Sequence, residues 1–94
     1  MNAVERPWGK KELISEIGAY KIYKIIVDPN HRTSLHFHTS KNEIIIYLSG
    51  DLSDCVLNIP AGTVHRINGP ALLIEISNEE ESDVTRLEDD YARK

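Results

Sequence analysis

Apolar and polar residues along this chain alternate or gather in short runs, and Gly, Pro, Asn and Asp break the pattern at short intervals. No segment sustains the 3.6-residue period of an amphipathic helix, so the pattern predicts β-strands joined by turns. A short strand over 11–15 follows Pro7 and Gly9, and Ile17-Gly18-Ala19 makes a turn. Residues 20–27, rich in Ile, Tyr and Val, form a strand that ends at Asp28-Pro29-Asn30. Residues 34–38 and 43–48 are read as the arms of a hairpin around the polar stretch 39–42. Short strands over 57–59 and 64–67 flank a Pro60–Gly62 turn, and Asn68-Gly69-Pro70 turns the chain again. The apolar run 71–77 reads as a strand lining a sandwich interior, and a helical turn is expected from Ser82 or Asp83 toward Tyr91. There are no internal repeats, so the chain is read as one all-β domain over 1–94.

Size and charge narrow the classes. Ninety-four residues make one small domain, and a domain of this size buries only about two-thirds of its unfolded surface, so a metal or a partner subunit would add useful stability. One cysteine, Cys55, excludes an internal disulfide, suits a reducing compartment and reads as a small packed residue. The first six residues lack the apolar core of a signal peptide, and the apolar runs 44–48 and 71–74 are far shorter than a membrane span. The expectation is a cytoplasmic protein with no membrane partner. Residues 1–66 carry eight Lys/Arg and seven Asp/Glu, whereas 67–94 carry three against eight. That acidic end argues against a nucleic-acid partner. Glu79-Glu80-Glu81 is read as a solvated run.

The chemistry concentrates in two stretches, which hold three of the four histidines. Residues i and i+2 of a strand share a face, so His36 and His38 aim into one space. Glu43 follows five residues later, and His65 comes just after the Pro60–Gly62 turn. Alone, His65 would be read as a hydrogen-bonded surface residue. As a set, three imidazoles and a carboxylate make a site for one divalent ion among Zn, Fe, Mn, Co and Ni.

His36-x-His38-x4-Glu43-x6-Gly50 resembles the first motif of the cupins, and Pro60-x-Gly62-x2-His65 resembles the second. The resemblance implies a small jelly-roll-like β-barrel or sandwich with His36, His38, Glu43 and His65 as metal ligands. Asn30 and Asp54 stand where the two motifs usually open with glycine, and both residue types tolerate positive φ. Arg6-Pro7-Trp8-Gly9, Ile59 to Arg66, and the closing Asp83 to Arg93 resemble one branch more closely, the C-terminal domain of type II mannose-6-phosphate isomerases, often fused to a mannose-1-phosphate guanylyltransferase. His36 replaces the Gln common in that branch, Lys41 an Arg and Ala92 a Gly.

The resemblance implies an aldose–ketose isomerase acting on a sugar phosphate in polysaccharide and nucleotide-sugar metabolism; its catalytic base is not identified by the sequence. Two other readings are a metal- and sugar-binding accessory domain without turnover, and an iron-dependent oxygenase. A phosphate needs cations, and Lys41, Arg66, Arg86 and Arg93 are available, with Tyr91 as a further substrate-binding residue. Neutralisation of the acidic tail is the plainer role for Arg86, and a solvated turn position for Lys41. Trp8 is read first as a packing anchor, Tyr91 equally as a clamp on the barrel, and His31 as an exposed loop residue. Only nine residues separate Gly50 from Pro60, where the cupins compared have about one further hairpin. The barrel is therefore trimmed by about one hairpin, and a homodimer is expected to cover the exposed edge and apolar surface.

Overall fold

A computed structural model describes residues 3–50, 52–78 and 84–91. It contains eight strands: β1 (Ala3–Arg6), β2 (Gly9–Ile17), β3 (Tyr20–Val27), β4 (Leu35–Phe37), β5 (Glu43–Gly50), β6 (Val56–Ile59), β7 (Ala71–Ser77) and β8 (Thr85–Glu88). Six form one antiparallel sheet in the order β1-β2-β3-β7-β5-β6, and β4 pairs with β8 in a second. The sheets do not close on each other, so the fold is an open, cupin-like β-sandwich. Among the described residues, no helix is long and apolar enough to cross a membrane.

The strands at 20–27 and 71–77 form where the Ile/Tyr/Val-rich segment and the apolar run place them. On β7 the odd positions Ala71, Leu73, Glu75 and Ser77 point inward and the even ones are half-buried. Inward residues of the large sheet, with Trp8 and Ile67, make a core of Trp8, Ile25, Val27, Ile45, Tyr47, Ile59, Ile67, Ala71 and Leu73. Cys55 and Tyr91 pack at its margin. Asn30 and Asp54, at the two expected glycine positions, adopt φ of 62° and 69°, as the tolerance of Asn and Asp for left-handed backbone allows.

Five expectations need correction. Residues 34–38 and 43–48 are not a hairpin: β4 pairs with β8, while β5 pairs with β6 and β7. The chain crosses between layers at 38–42, because Lys41 turns inward to the buried carboxylates instead of sitting on a solvated turn. The segment 64–67 is not a strand; it contributes only a single bridge, His36 with His65. The tail is extended at Thr85–Glu88 where a helical turn was expected, since pairing with β4 satisfies its backbone, and Ser82 and Asp83 lie outside the described residues. Finally, β2 runs beyond 11–15, and β1 pairs alongside it.

Candidate metal centre

The cluster lies between the two layers. His36 sits on β4, and His38 one residue beyond it. The backbones of His36 and His65 exchange two hydrogen bonds, His36 N–H to the His65 carbonyl at 3.0 Å and His65 N–H to the His36 carbonyl at 2.8 Å. Directly opposed residues of this kind share a face, and the two rings lie 4.3 Å apart between centroids. The Gly62 N–H donates to the His38 carbonyl at 2.7 Å, anchoring the Pro60–Gly62 turn beside the histidines. Nitrogens of His36, His38 and His65 lie within 4.8 Å of one another.

Glu43 reaches the histidines from the opposite sheet. Its Oε1 is 3.2 Å from His38 Nε2 and its Oε2 is 3.2 Å from His65 Nε2. Behind it runs a ladder of buried charges: Lys41 Nζ lies 3.1 Å from Glu43 Oε1 and 3.2 Å from Glu75 Oε2, and Lys11 Nζ lies 3.3 Å from the same Glu75 oxygen. Lys11 also sits over the Tyr23 ring, 4.2 Å from its centroid. A buried carboxylate is ordinarily pushed toward protonation. For Glu43 burial does act that way, but the close His38 and His65 imidazoles, each with Nε2 at 3.2 Å, and the charge of Lys41 outweigh it, and the group stays ionised well below the usual carboxylate range.

The backbone sets the imidazole tautomers. A carbonyl only accepts, so Nδ1 carries the proton in His36, which faces the Ser34 carbonyl at 2.7 Å, and in His65, which faces the Thr63 carbonyl at 2.8 Å. Nε2 of each is then the inward nitrogen, unprotonated in neutral His36 and hydrogen-bonded to Glu43 in His65, and an outer hydrogen bond on Nδ1 is the arrangement that holds a metal-binding histidine. Burial pushes His36 down to about 4, against the pull of the Ser34 bond, so it is a neutral donor near pH 7. His65 goes the other way: burial works to lower it, but the bonds to Glu43 and the Thr63 carbonyl prevail and its pKa is raised. Donors about 2.1 Å from a tetrahedral ion lie roughly 3.4 Å apart. The nitrogens of the three histidines, within 4.8 Å of one another, lie near that spacing, with one Glu43 oxygen beside His38 and the other beside His65, and the donor chemistry fits a divalent transition metal.

A cavity opens onto the cluster. Its wall includes His36, His38, Glu43 and His65, together with Trp8, Lys11, Glu75, Arg6 and Arg86. Among the described residues, Arg86 is the one cation singled out in the sequence that lines it. Lys41 is buried behind the carboxylates. Arg66 donates its Nε to the Thr33 carbonyl at 3.0 Å and lies 3.4 Å from Glu88. Tyr91 packs against the core and stacks on His31 at 6.3 Å, and His31 is exposed. Arg93 lies outside the described residues. Trp8 both fills the core and faces the cavity. Sequence reasoning missed Lys11, Glu75 and Arg6. The signal for the first two was present, since a charge at an inward position of an alternating strand has to meet a partner inside.

An open two-layer β-sandwich holding a His/His/Glu/His cluster between its sheets is a cupin-like domain. The family model described as "Mannose-6-phosphate isomerase C-terminal" matches residues 1–89, and the chain belongs to that family. It is 34% identical over 89% of its length to a putative mannose-1-phosphate guanylyltransferase of Vibrio cholerae. It is also 34% identical over 94% of its length to mannose-1-phosphate guanylyltransferase 2 of Escherichia coli O157:H7. With the alginate biosynthesis protein AlgA of Pseudomonas aeruginosa it shares 32% over 96%. The chain spans only 22–23% of the length of these relatives.

Proposed function

We propose that this domain is a metal-dependent aldose–ketose isomerase for a sugar phosphate, of the mannose-6-phosphate isomerase type, serving polysaccharide or nucleotide-sugar synthesis. The observation that carries the reading is the convergence of His36, His38 and His65 within 4.8 Å of one another, with Glu43 of the opposite layer 3.2 Å from His38 and from His65 and the Nδ1 atoms of His36 and His65 held by backbone carbonyls. A divalent ion held there would supply Lewis-acid polarisation of the substrate's carbonyl and hydroxyl oxygens. The chain's own groups do the remainder. Ser34 and Thr63 carbonyls orient the imidazoles, Lys41 holds Glu43 ionised, and Trp8 limits water at the cavity wall.

The experiment pairs elemental analysis with proton NMR on mannose 6-phosphate in heavy water. One equivalent of metal and loss of the C2 proton signal are expected. Metal-loaded protein that leaves that proton in place would overturn the isomerase reading. One observation favours a second reading, a binding module without turnover. Among the described residues, both carboxylates on the cavity wall are already held, Glu43 by His38, His65 and Lys41 and Glu75 by Lys11 and Lys41. Neither is a ready proton acceptor, and the binding reading predicts affinity without exchange.

The protein is further read as a cytoplasmic homodimer joined through the outer face of the large sheet. Cross-strand register puts Ile22, Ile76 and Ile44 in one outward row, and Ile74, Ile46 and Val56 in the next. Ile44 is 41% exposed and Val56 64%, a contiguous apolar surface of the kind that marks an interface. A sheet face meets its own copy across a two-fold axis, and no chain between Gly50 and Pro60 is long enough to cover it. Light scattering is expected to give twice the 10.7 kDa chain mass, and Ile44→Lys with Val56→Lys to give the monomer. A wild-type monomer at micromolar concentration would sink the dimer.

A further inference from the structure

A row of buried charge runs across the inward face of the large sheet, behind the histidine cluster. Lys11 stands on β2, Glu75 on β7 and Glu43 at the start of β5, and Lys41 enters from the crossing at 38–42. Lys11 Nζ lies 3.3 Å from Glu75 Oε2, and Lys41 Nζ lies 3.2 Å from that same oxygen and 3.1 Å from Glu43 Oε1. None of the four side chains is more than 6% exposed. Register sets their order. Glu75 lies opposite Tyr23 of β3 on one side and Ile45 of β5 on the other, and Lys11 sits over the Tyr23 ring, so the row crosses four strands. Glu43 pairs with Ser77, two residues along β7 from Glu75. Diagonal neighbours on one face stand about 7–8 Å apart, near enough for two buried anions to repel and far enough for one ammonium to bridge them.

Stability alone does not account for such a row, because apolar side chains of similar volume fill a core as well as a buried ion pair does, and often better. What the row has that apolar packing lacks is an end on a candidate metal ligand. Lys41 meets Oε1 of Glu43 while Oε2 faces His65, and an ammonium fixed on one oxygen sets the rotation of the carboxylate. The lysine stem is flexible, so the ammonium needs a hold on its far side, and Glu75 supplies it. Lys11 in turn seats Glu75. We propose that Glu75 is a positioning residue of the metal centre: seated by Lys11, it holds Lys41 on Glu43 and so keeps the carboxylate turned to the histidines. Glu75 acts through Lys41, from outside the ligand set. The inference rests on the metal-centre reading above and gives a role to Lys11 and Glu75, which the sequence did not single out.

The test is cobalt(II) affinity of the full chain, read by competition with a chromophoric chelator, with the visible spectrum of the cobalt form and circular dichroism melts of the metal-free proteins. The wild type is expected to take up one equivalent. Glu75→Gln and Lys41→Met are each expected to bind cobalt about tenfold more weakly or worse, and to shift its visible bands, which follow the donor set and its geometry. Adding Glu75→Gln to Lys41→Met is expected to weaken binding by less than about threefold more, whereas independent effects would multiply. If Glu75→Gln does not fold, Lys11→Met combined with Glu75→Gln decides, since it removes one charge of each sign. That pair is expected to melt near the wild-type temperature and still to bind cobalt about tenfold more weakly. Wild-type affinity or an unchanged spectrum in the folded variants overturns the positioning role, and so do multiplied losses in Lys41→Met with Glu75→Gln. A pair that fails to fold assigns the row to the fold and overturns it too. Weakened binding in the variants with no C2 exchange by the wild type upholds the role and sinks only the isomerase. A wild type that takes up no cobalt removes the metal centre itself, and the positioning role with it.

Discussion

Glu43→Ala is expected to be the most damaging single substitution in this protein, lowering stability by about 3–5 kcal/mol and abolishing metal uptake. Glu43 is 2% exposed and is the shared anion for His38, His65 and Lys41. Removing one member of a buried charge set leaves the others desolvated without compensation, which is what makes such losses large. Lys41 would keep only Glu75, a carboxylate already shared with Lys11, and His65 would lose the hydrogen bond that raises its pKa. At about 4–8 °C per kcal/mol for a domain of this size, the thermal midpoint should fall on the order of 20 °C. Glu43→Gln keeps the shape and should lose less. Circular dichroism melts and a metal competition assay read both effects; a midpoint within a few degrees of wild type would show that the charge ladder does not depend on Glu43.

The second large effect is with acid. In the metal-free protein His36 is pushed down to about 4 by burial, while in the unfolded chain it returns to about 6.5. Between those values the unfolded state binds the extra proton, so stability rises with pH there. The His36 contribution is therefore fully present above about pH 6.5 and is lost as pH falls toward 4, by about 3 kcal/mol in all. His65, with its pKa raised, works in the opposite sense: it contributes stability below its unfolded value, lost as pH rises through its folded one. Carboxylate titration affects wild type and His36→Gln alike, so the difference between them isolates His36. Urea unfolding of the chelated proteins at pH 7 and pH 4.5 should show the wild type losing about 2–3 kcal/mol more than His36→Gln. Parallel losses in the two would remove burial of a neutral His36 as the cause.

Both expectations depend on how the ligands are brought together, and here sequence and structure contributed differently. The Ile, Tyr and Val richness of 20–27 and the apolar run 71–77 identified those strands end to end, because such residues favour the half-buried pleated surface of a sheet. The spacing of His36 and His38, and their association with Glu43 and His65, was legible because i and i+2 on a strand must share a face. The positive φ of Asn30 and Asp54 was legible from the resemblance, which puts glycine at both positions, together with residue types that tolerate it.

The partnering of those strands was not. A run such as 34–38 followed by 43–48 looks the same whether it folds back as a hairpin or crosses between layers. What chose the crossing was burial of Lys41 against Glu43 and Glu75 and pairing of β4 with a tail fifty residues away. The tail read as a helical turn for the same reason: with few apolar positions it has weak periodicity, and its extended form comes from the strand it joins. Sequence alone thus placed several of the strands of the large sheet and singled out the candidate metal ligands, since these follow from local composition and spacing. Only the tertiary structure decided that Glu43 meets the histidines from the opposite sheet, that Lys11, Lys41 and Glu75 form a buried ladder behind it, and that Arg6 and Arg86 share a cavity. Those are contacts between residues far apart in the chain, fixed by which buried charges can find partners.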